Sequence, residues 1–167
     1  MDWKTFYQNR INSTYQDYFN ERYKVFIDNI KQIKSEADEL FELGCGIGSV
    51  SKSVGGKFSG IDKDPFMVQL SNENTGTNNF VVGDIFQYDL NESVLKVSHG
   101  VLEHFSDEQI VSITNRCKHS IHYVPLDKYV TPSFGDERLL PYEHWMNLVN
   151  PVYYELFNDN HDLLFIL

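Results

Sequence analysis

Glu42-Leu43-Gly44-Cys45-Gly46-Ile47-Gly48, entered from the apolar pair Leu40-Phe41 and left through Val50-Ser51-Lys52, is the stretch whose reading decides the fold. A strand that ends in alternate glycines and runs into a helix brings bare backbone amides against a polar ligand, because no Cβ atoms hold the ligand off. The spacing selects among nucleotide-type ligands. A dinucleotide turn wants G-x-G-x-x-G over a pyrophosphate. Here the third glycine falls one place early, at Gly48, and Ser49 occupies the dinucleotide position. Glu42 stands just before the first glycine, where it repels a pyrophosphate and suits a ligand carrying positive charge.

Three further segments follow in βα order. About 18 residues past Gly44, Ser59-Gly60-Ile61-Asp62-Lys63-Asp64-Pro65 reads as a second strand ending at a helix start. Asp62 is placed where an acidic side chain accepts from two ribose hydroxyls, with a plain turn aspartate as the alternative. Asp64 and Pro65 read as an N-cap and a first-turn proline. A third strand, Phe80-Val81-Val82, runs into Gly83-Asp84-Ile85-Phe86, which alone would be an ordinary turn. The fourth piece, Leu95 to Glu108, carries His99-Gly100-Val101-Leu102-Glu103-His104-Phe105.

The glycine motif E-x-G-x-G-x-G resembles the first motif of the class I S-adenosylmethionine-dependent methyltransferases. The segment His99 to Phe105 is similar to the loop after the fourth strand in many small-molecule members. The resemblance covers roughly residues 38 to 167, and its first and fourth motifs are the specific ones. It implies S-adenosyl-L-methionine as cofactor, with Glu42, Gly44, Cys45, Gly46 and Gly48 around its methionine part and Asp62 and Lys63 near its ribose. It further implies that Asp84 accepts from the adenine amino group, that the Ile85 amide reaches a ring nitrogen, and that the His99 carbonyl meets the ammonium. Read without it, Cys45 is a small packing residue inside the turn.

Length and composition set bounds. The 167 residues suffice for one α/β domain with a single core. The hydrophobic fraction of 41% is globular, and the formal charge of −10 with no basic run argues against nucleic acid as substrate. Cys45 and Cys117, with no CxxC and no paired histidine spacing, support neither a disulfide framework nor a zinc or other metal site. No signal-peptide pattern and no apolar run of membrane-spanning length is present, so a cytoplasmic location with no membrane partner is expected.

Residues 1–36 are expected to form an N-terminal cap and 37–167 the core of a single domain. Ser13 with Gln16 suggests a capping box. Apolar and aromatic residues from Tyr15 to Ile33 recur at helical spacing, predicting one long amphipathic helix. That helix either covers the sheet or closes over substrate at its N-terminal end, with Trp3, Tyr7 and Tyr18. Strands are predicted at Ala37–Glu42, Lys57–Ile61, Phe80–Val82, at the start of the Leu95 to Glu108 segment and at Ser120–Pro125. Helices are predicted at Ile47–Val54, Pro65–Asn72, from Ser106 to about Cys117, and at Glu143–Val149. Residues 72–79 read as a surface loop, and Gln87 to Ser93 lacks helical pattern, leaving the usual crossover helix short or absent. Leu126 to Tyr142, with Pro132, Gly135 and Pro141, is a long polar connection. Gly135 to Pro141 with Trp145 resembles the stretch after the fifth strand in related bacterial methyltransferases. Val152–Phe157 and Leu163–Leu167 read as a closing hairpin.

The predicted architecture is therefore a doubly wound Rossmann-like α/β fold, mostly parallel, with a C-terminal antiparallel β-hairpin and an N-terminal cap helix, its ligand at the carboxyl ends of the strands. The expected activity is methyl transfer to a small-molecule acceptor by in-line displacement. With a neutral leaving group, alignment matters more than a charged catalyst. His104 is the candidate base, since imidazole exchanges protons near neutral pH, with packing as its alternative role. Glu103 is expected to be structural or solvent-facing. Tyr142, His144 and Trp145 are candidates for the acceptor pocket beside Tyr7 and Tyr18. Two other readings are a cofactor-binding protein without transferase activity, acting as a sensor or partner subunit, and an NAD-binding protein, which Ser49 disfavours.

Overall fold

The computed structural model describes residues 4, 7, 10–35, 38–90, 93–132 and 136–167. Trp3, Ala37 and Gly135 lie outside them. Two compact units divide the chain, Met1–Tyr88 and Asp89–Leu167.

In the first unit, β1 (Glu39–Leu43) pairs in parallel with β2 (Lys57–Asp62), which pairs in parallel with β3 (Phe80–Val82). Leu40, Leu43 and Ile61 are wholly buried, as expected of parallel strands covered on both faces. The register decides where the chemistry goes. Leu43 lies opposite Ile61 and Asp62 opposite Val82, so the glycine turn, Asp62 and Gly83-Asp84 all emerge at one edge. At the β1–β2 contact a Cβ built on Gly60 would stand 2.8 Å from the Glu42 carbonyl oxygen and 2.9 Å from the Phe80 ring, which leaves room for glycine alone.

The N-terminal region departs from its reading. The single long helix is two, α1 (Ser13–Arg22) and α2 (Lys24–Ile33), broken at Tyr23, whose φ of −111° and ψ of 24° are not helical. Asn12, not Ser13, caps α1 by accepting from the Tyr15 amide at 2.8 Å. Gln16 closes no capping box; it turns its side-chain amide away from the cap, donating to the Ser49 carbonyl at 3.2 Å and to Ser53 Oγ at 2.7 Å. Those bonds tie α1 to α3 (Ser49–Val54). Helix α4 (Pro65–Thr75) starts at the predicted Asp64 cap but runs three residues past Asn72. Asn74, expected in a surface loop, is buried and donates to the Ile47 carbonyl at 2.8 Å, so a polar residue is held inside by a backbone partner. Residues described between β3 and β4 contain no helix.

In the second unit, β4 (Leu95–His99) pairs in parallel with β5 (Ser120–Pro125), and β7 (Asp162–Ile166) runs antiparallel to both β5 and β6 (Tyr153–Phe157). Positive-φ Asn158, Asp159 and Asn160 make the hairpin turn. A 3₁₀ turn at Leu102–His104 precedes α5 (Asp107–Asn115), whose Ser106 and Gln109 form a complete capping box. Helix α6 (Tyr142–Val149) closes the segment before the hairpin. No helix among the described residues is long and apolar enough to cross a membrane.

Candidate active site

The glycine turn is left-handed at each of its three glycines, with φ of 61°, 50° and 71° at Gly44, Gly46 and Gly48. Side chains there would be strained, and the bend would not form. Asp62 braces it from the next strand: Oδ2 accepts from the Gly46 amide at 3.0 Å and Oδ1 from the Asp64 amide at 2.9 Å. Each oxygen keeps a second lone pair, which is the requirement for accepting from a pair of vicinal hydroxyls. Burial raises the Asp62 pKa from its ordinary value. The Asp62 carbonyl also accepts from Gly83 at 2.9 Å, which fixes the Gly83-Asp84 turn beside it.

Asp84 is exposed; its carboxylate accepts from the Phe86 amide at 2.9 Å and the Gln87 side chain at 3.2 Å, while Ile85 is buried. Lys63 is exposed. Cys45 is packed against Val68 and Phe80, and burial drives its thiol pKa far up, which excludes a reactive thiolate.

Glu42 has a different setting from the one its position suggested. It is 3% exposed, and Oε2 accepts from the Ser51 amide at 3.2 Å and from Ser51 Oγ at 2.6 Å. A carboxylate from the end of β1 thus caps the first turn of α3, and Ser51 is the partner that sequence reading missed. Burial outweighs those bonds and raises the Glu42 pKa to about 7.

Two features test the fit of an adenosyl sulfonium. A Cβ built on Gly46 would meet nothing within 4 Å, so the crest of the turn is open backbone. Beside it, buried Ser49 Oγ has no hydrogen-bond partner among the described residues. The residues present suit a polar ligand laid across the turn. Within the turn, Ile47 packs with Met67, Leu70, Tyr7, Ile11, Tyr15 and Phe66, so the N-terminal aromatics rest on the turn itself. Tyr7 meets Tyr15 edge to face at 6.4 Å, and Tyr18 is 57% exposed.

In the second unit, His99 stacks on Tyr123 with centroids 4.3 Å apart, and Gly100 donates to the Tyr123 carbonyl at 3.2 Å. His104 Nδ1 stands 3.1 Å from Asp136 Oδ1. Glu103 is not solvent-facing: it is 1% exposed, and burial, with Glu137 and Asp136 nearby, raises its pKa to about 8. Arg138 donates through its amide to the Glu103 carbonyl at 2.9 Å and through its guanidinium to the Phe105 carbonyl and to Asp107 Oδ1 at 2.7 Å. His144 Nε2 lies 3.1 Å from the other Asp107 oxygen. Trp145 is wholly buried against Phe165, and its indole N–H has no partner among the described residues. Tyr142 stacks on Tyr154 at 6.3 Å.

Comparison with solved structures shows the class of fold. The PH0226 protein of Pyrococcus horikoshii OT3 matches with a TM-score of 0.76 at 15% identity, over 98% of this chain and 97% of that one. Human N-acetylserotonin methyltransferase, solved in complex with S-adenosylmethionine, matches with a TM-score of 0.62 at 15% identity, over 98% of this chain and 58% of that one. The small RNA methyltransferase HEN1 matches with a TM-score of 0.66 at 16% identity, over 88% of this chain and 25% of that one. The fold is the α/β, Rossmann-like methyltransferase fold, mostly parallel with one antiparallel C-terminal hairpin.

The sequence supplies the family: residues 41–120, which contain the glycine turn, Asp62, Asp84 and the His99–Phe105 segment, match the methyltransferase domain. A sequence search of curated proteins finds no match. The family match and the shared fold together support a class I S-adenosylmethionine-dependent methyltransferase, with S-adenosylmethionine as the cofactor.

Proposed function

We propose that this enzyme methylates a small-molecule acceptor. The observation that carries the methyl-donor half of the reading is the open, left-handed glycine crest at Gly46, braced by the Asp62 carboxylate at 3.0 Å. In this reading Gly44, Cys45, Gly46 and Gly48 present backbone to the methionine part of the cofactor, Asp62 takes the ribose hydroxyls with Lys63 beside it, and Asp84 and Ile85 take the adenine. Glu42 acts by holding α3 through Ser51, and the His99 carbonyl is the acceptor assigned to the ammonium. When bound, the cofactor supplies a methyl group on a sulfonium, which an acceptor atom takes by in-line displacement.

The chain's own contribution is alignment and proton handling. His104, with Asp136 on Nδ1, is the group assigned to take a proton from a hydroxyl or ammonium acceptor. Tyr7, Tyr18 and Tyr142 are assigned to the acceptor. Trp145, expected beside them, contributes from a buried position through packing and its unpartnered N–H.

The small-molecule assignment rests on charge. A net −10 opposes a polyphosphate backbone, although HEN1 shows by its name that a relative of this fold acts on RNA. A single domain with residues 1–36 as cap and 37–167 as core, in the cytoplasm, belongs to the same proposal. The test is methyl transfer from radiolabelled S-adenosylmethionine to a fractionated metabolite extract and, in parallel, to total RNA. Label in a small metabolite is the expected result; label confined to RNA overturns it.

A further inference from the structure

The turn after β4 and the segment before α6 assemble three ligand-bearing side chains. A carboxylate oxygen of Glu103, a ring nitrogen of His104 and a carboxylate oxygen of Glu137 all lie within 4.8 Å of one another. Their placement is held by backbone: the Arg138 amide donates to the Glu103 carbonyl, and the Arg138 guanidinium grips the Phe105 carbonyl and Asp107. Glu137 is therefore tethered through its neighbour to the very residue it faces.

Glu103 gives the second, independent sign. It is 1% exposed, and its Oε2 accepts no hydrogen bond from any described residue. An unsatisfied buried acceptor costs about 1–3 kcal/mol, and more when charged. Glu137, in the same cluster, and Asp136, on the His104 ring, add negative charge to the same place. A chain that buries an acid beside two others needs a proton or a cation there. The ring nitrogen among them favours the cation, because imidazole and carboxylate together are a donor set for divalent metal.

We propose that Glu103, His104 and Glu137 form a binding site for a divalent cation of the manganese(II) type, with Asp136 orienting His104 from 3.1 Å. Two oxygens and one nitrogen match a cation of intermediate hardness better than a thiolate-seeking one. The carboxylate on the ring of a ligating histidine is the usual outer support of such sites. Three protein ligands leave positions for water or for an oxygen of a bound molecule. Ligands on a cation about 2.1 Å away stand roughly 3 Å apart, so the trio closes by rotation of the Glu137 and His104 side chains when the cation enters. His104 is then occupied as a ligand, and its use as a base belongs to the cation-free protein.

The site stands without the methyl-transfer reading, and its test needs no turnover. Manganese(II) is titrated into the full chain, without S-adenosylmethionine, and free ion is followed by electron paramagnetic resonance. Saturable uptake of one ion per chain is expected, displaced by zinc(II). Glu137→Gln, on a half-buried residue, is expected to weaken uptake at least about tenfold, and Glu103→Gln likewise in protein whose circular dichroism is unchanged. No saturable uptake by the wild-type chain overturns the proposal, as does uptake unaltered in Glu137→Gln. Either failure leaves cofactor binding at the glycine turn untouched.

Discussion

The Asp62 carboxylate accepts a hydrogen bond from the Gly46 amide at 3.0 Å, joining the end of the second strand to the crest of the turn that ends the first. One side chain thereby holds the shape of the turn and stands where the ribose is assigned. The same carboxylate takes the Asp64 amide at the head of α4, so two backbone amides, one on each side, share it.

Removing that brace has a definite consequence. Asp62→Ala is expected to weaken S-adenosylmethionine binding at least about tenfold, the loss of one or two hydrogen bonds to a charged acceptor. Isothermal titration calorimetry measures it. Unchanged affinity removes Asp62 from the site.

Gly60 tests the close approach of the first two strands. Gly60→Ala places a methyl group 2.8 Å from the Glu42 carbonyl oxygen and 2.9 Å from the Phe80 ring. Backbone cannot yield as a flexible side chain does, so a cost of about 2 kcal/mol is expected, or a fall of roughly 4–8 °C in Tm for a chain of this size. A Tm within about 1 °C of wild type would contradict that packing.

Glu42 makes stability depend on pH. Its folded pKa of about 7 lies above its ordinary 4.5, so between those values the native state keeps a proton that the unfolded chain has released. Stability from this group is present below pH 4.5 and is lost as pH rises to about 7, by about 3 kcal/mol in all. Glu42→Gln keeps an acceptor for Ser51 and removes the titration. Urea unfolding at pH 5 and pH 8 is expected to show a smaller difference in the variant than in the wild type; equal differences would place the proton elsewhere.

For His104 the informative quantity is a ratio. His104→Ala is expected to lower kcat by about 100-fold or more while leaving cofactor affinity within about twofold. Single-turnover kinetics alongside calorimetry separates the two, and full activity would remove the ring from proton transfer.

Much of this site is legible in the chain because it is built locally. Alternate glycines need only their own backbone freedom to make the left-handed bend, and Asp64-Pro65 caps its helix with the next residues along. Hydrophobic periodicity placed β5 to the residue and the closing hairpin within one or two, since strand and turn preferences act at short range. The same range explains the misses. The stripe from Tyr15 to Ile33 reads as one helix because periodicity does not register the break at Tyr23. Asn74 reads as loop because nothing beside it reveals the Ile47 carbonyl that draws it inside.

The sequence by itself determined the order of strands and helices, the bend at Gly44 to Gly48 and the aspartate at the end of the second strand. Each of these depends on residues within a few positions, where dihedral preference and capping decide. The tertiary structure alone decided that Glu42 turns onto Ser51 and that Glu103 is sealed from water. It alone decided that Glu137, far along the chain, comes back to the Glu103-His104 turn. Burial and meetings between distant side chains are settled by how the whole chain packs, and no local preference of a glutamate encodes the partner it will face.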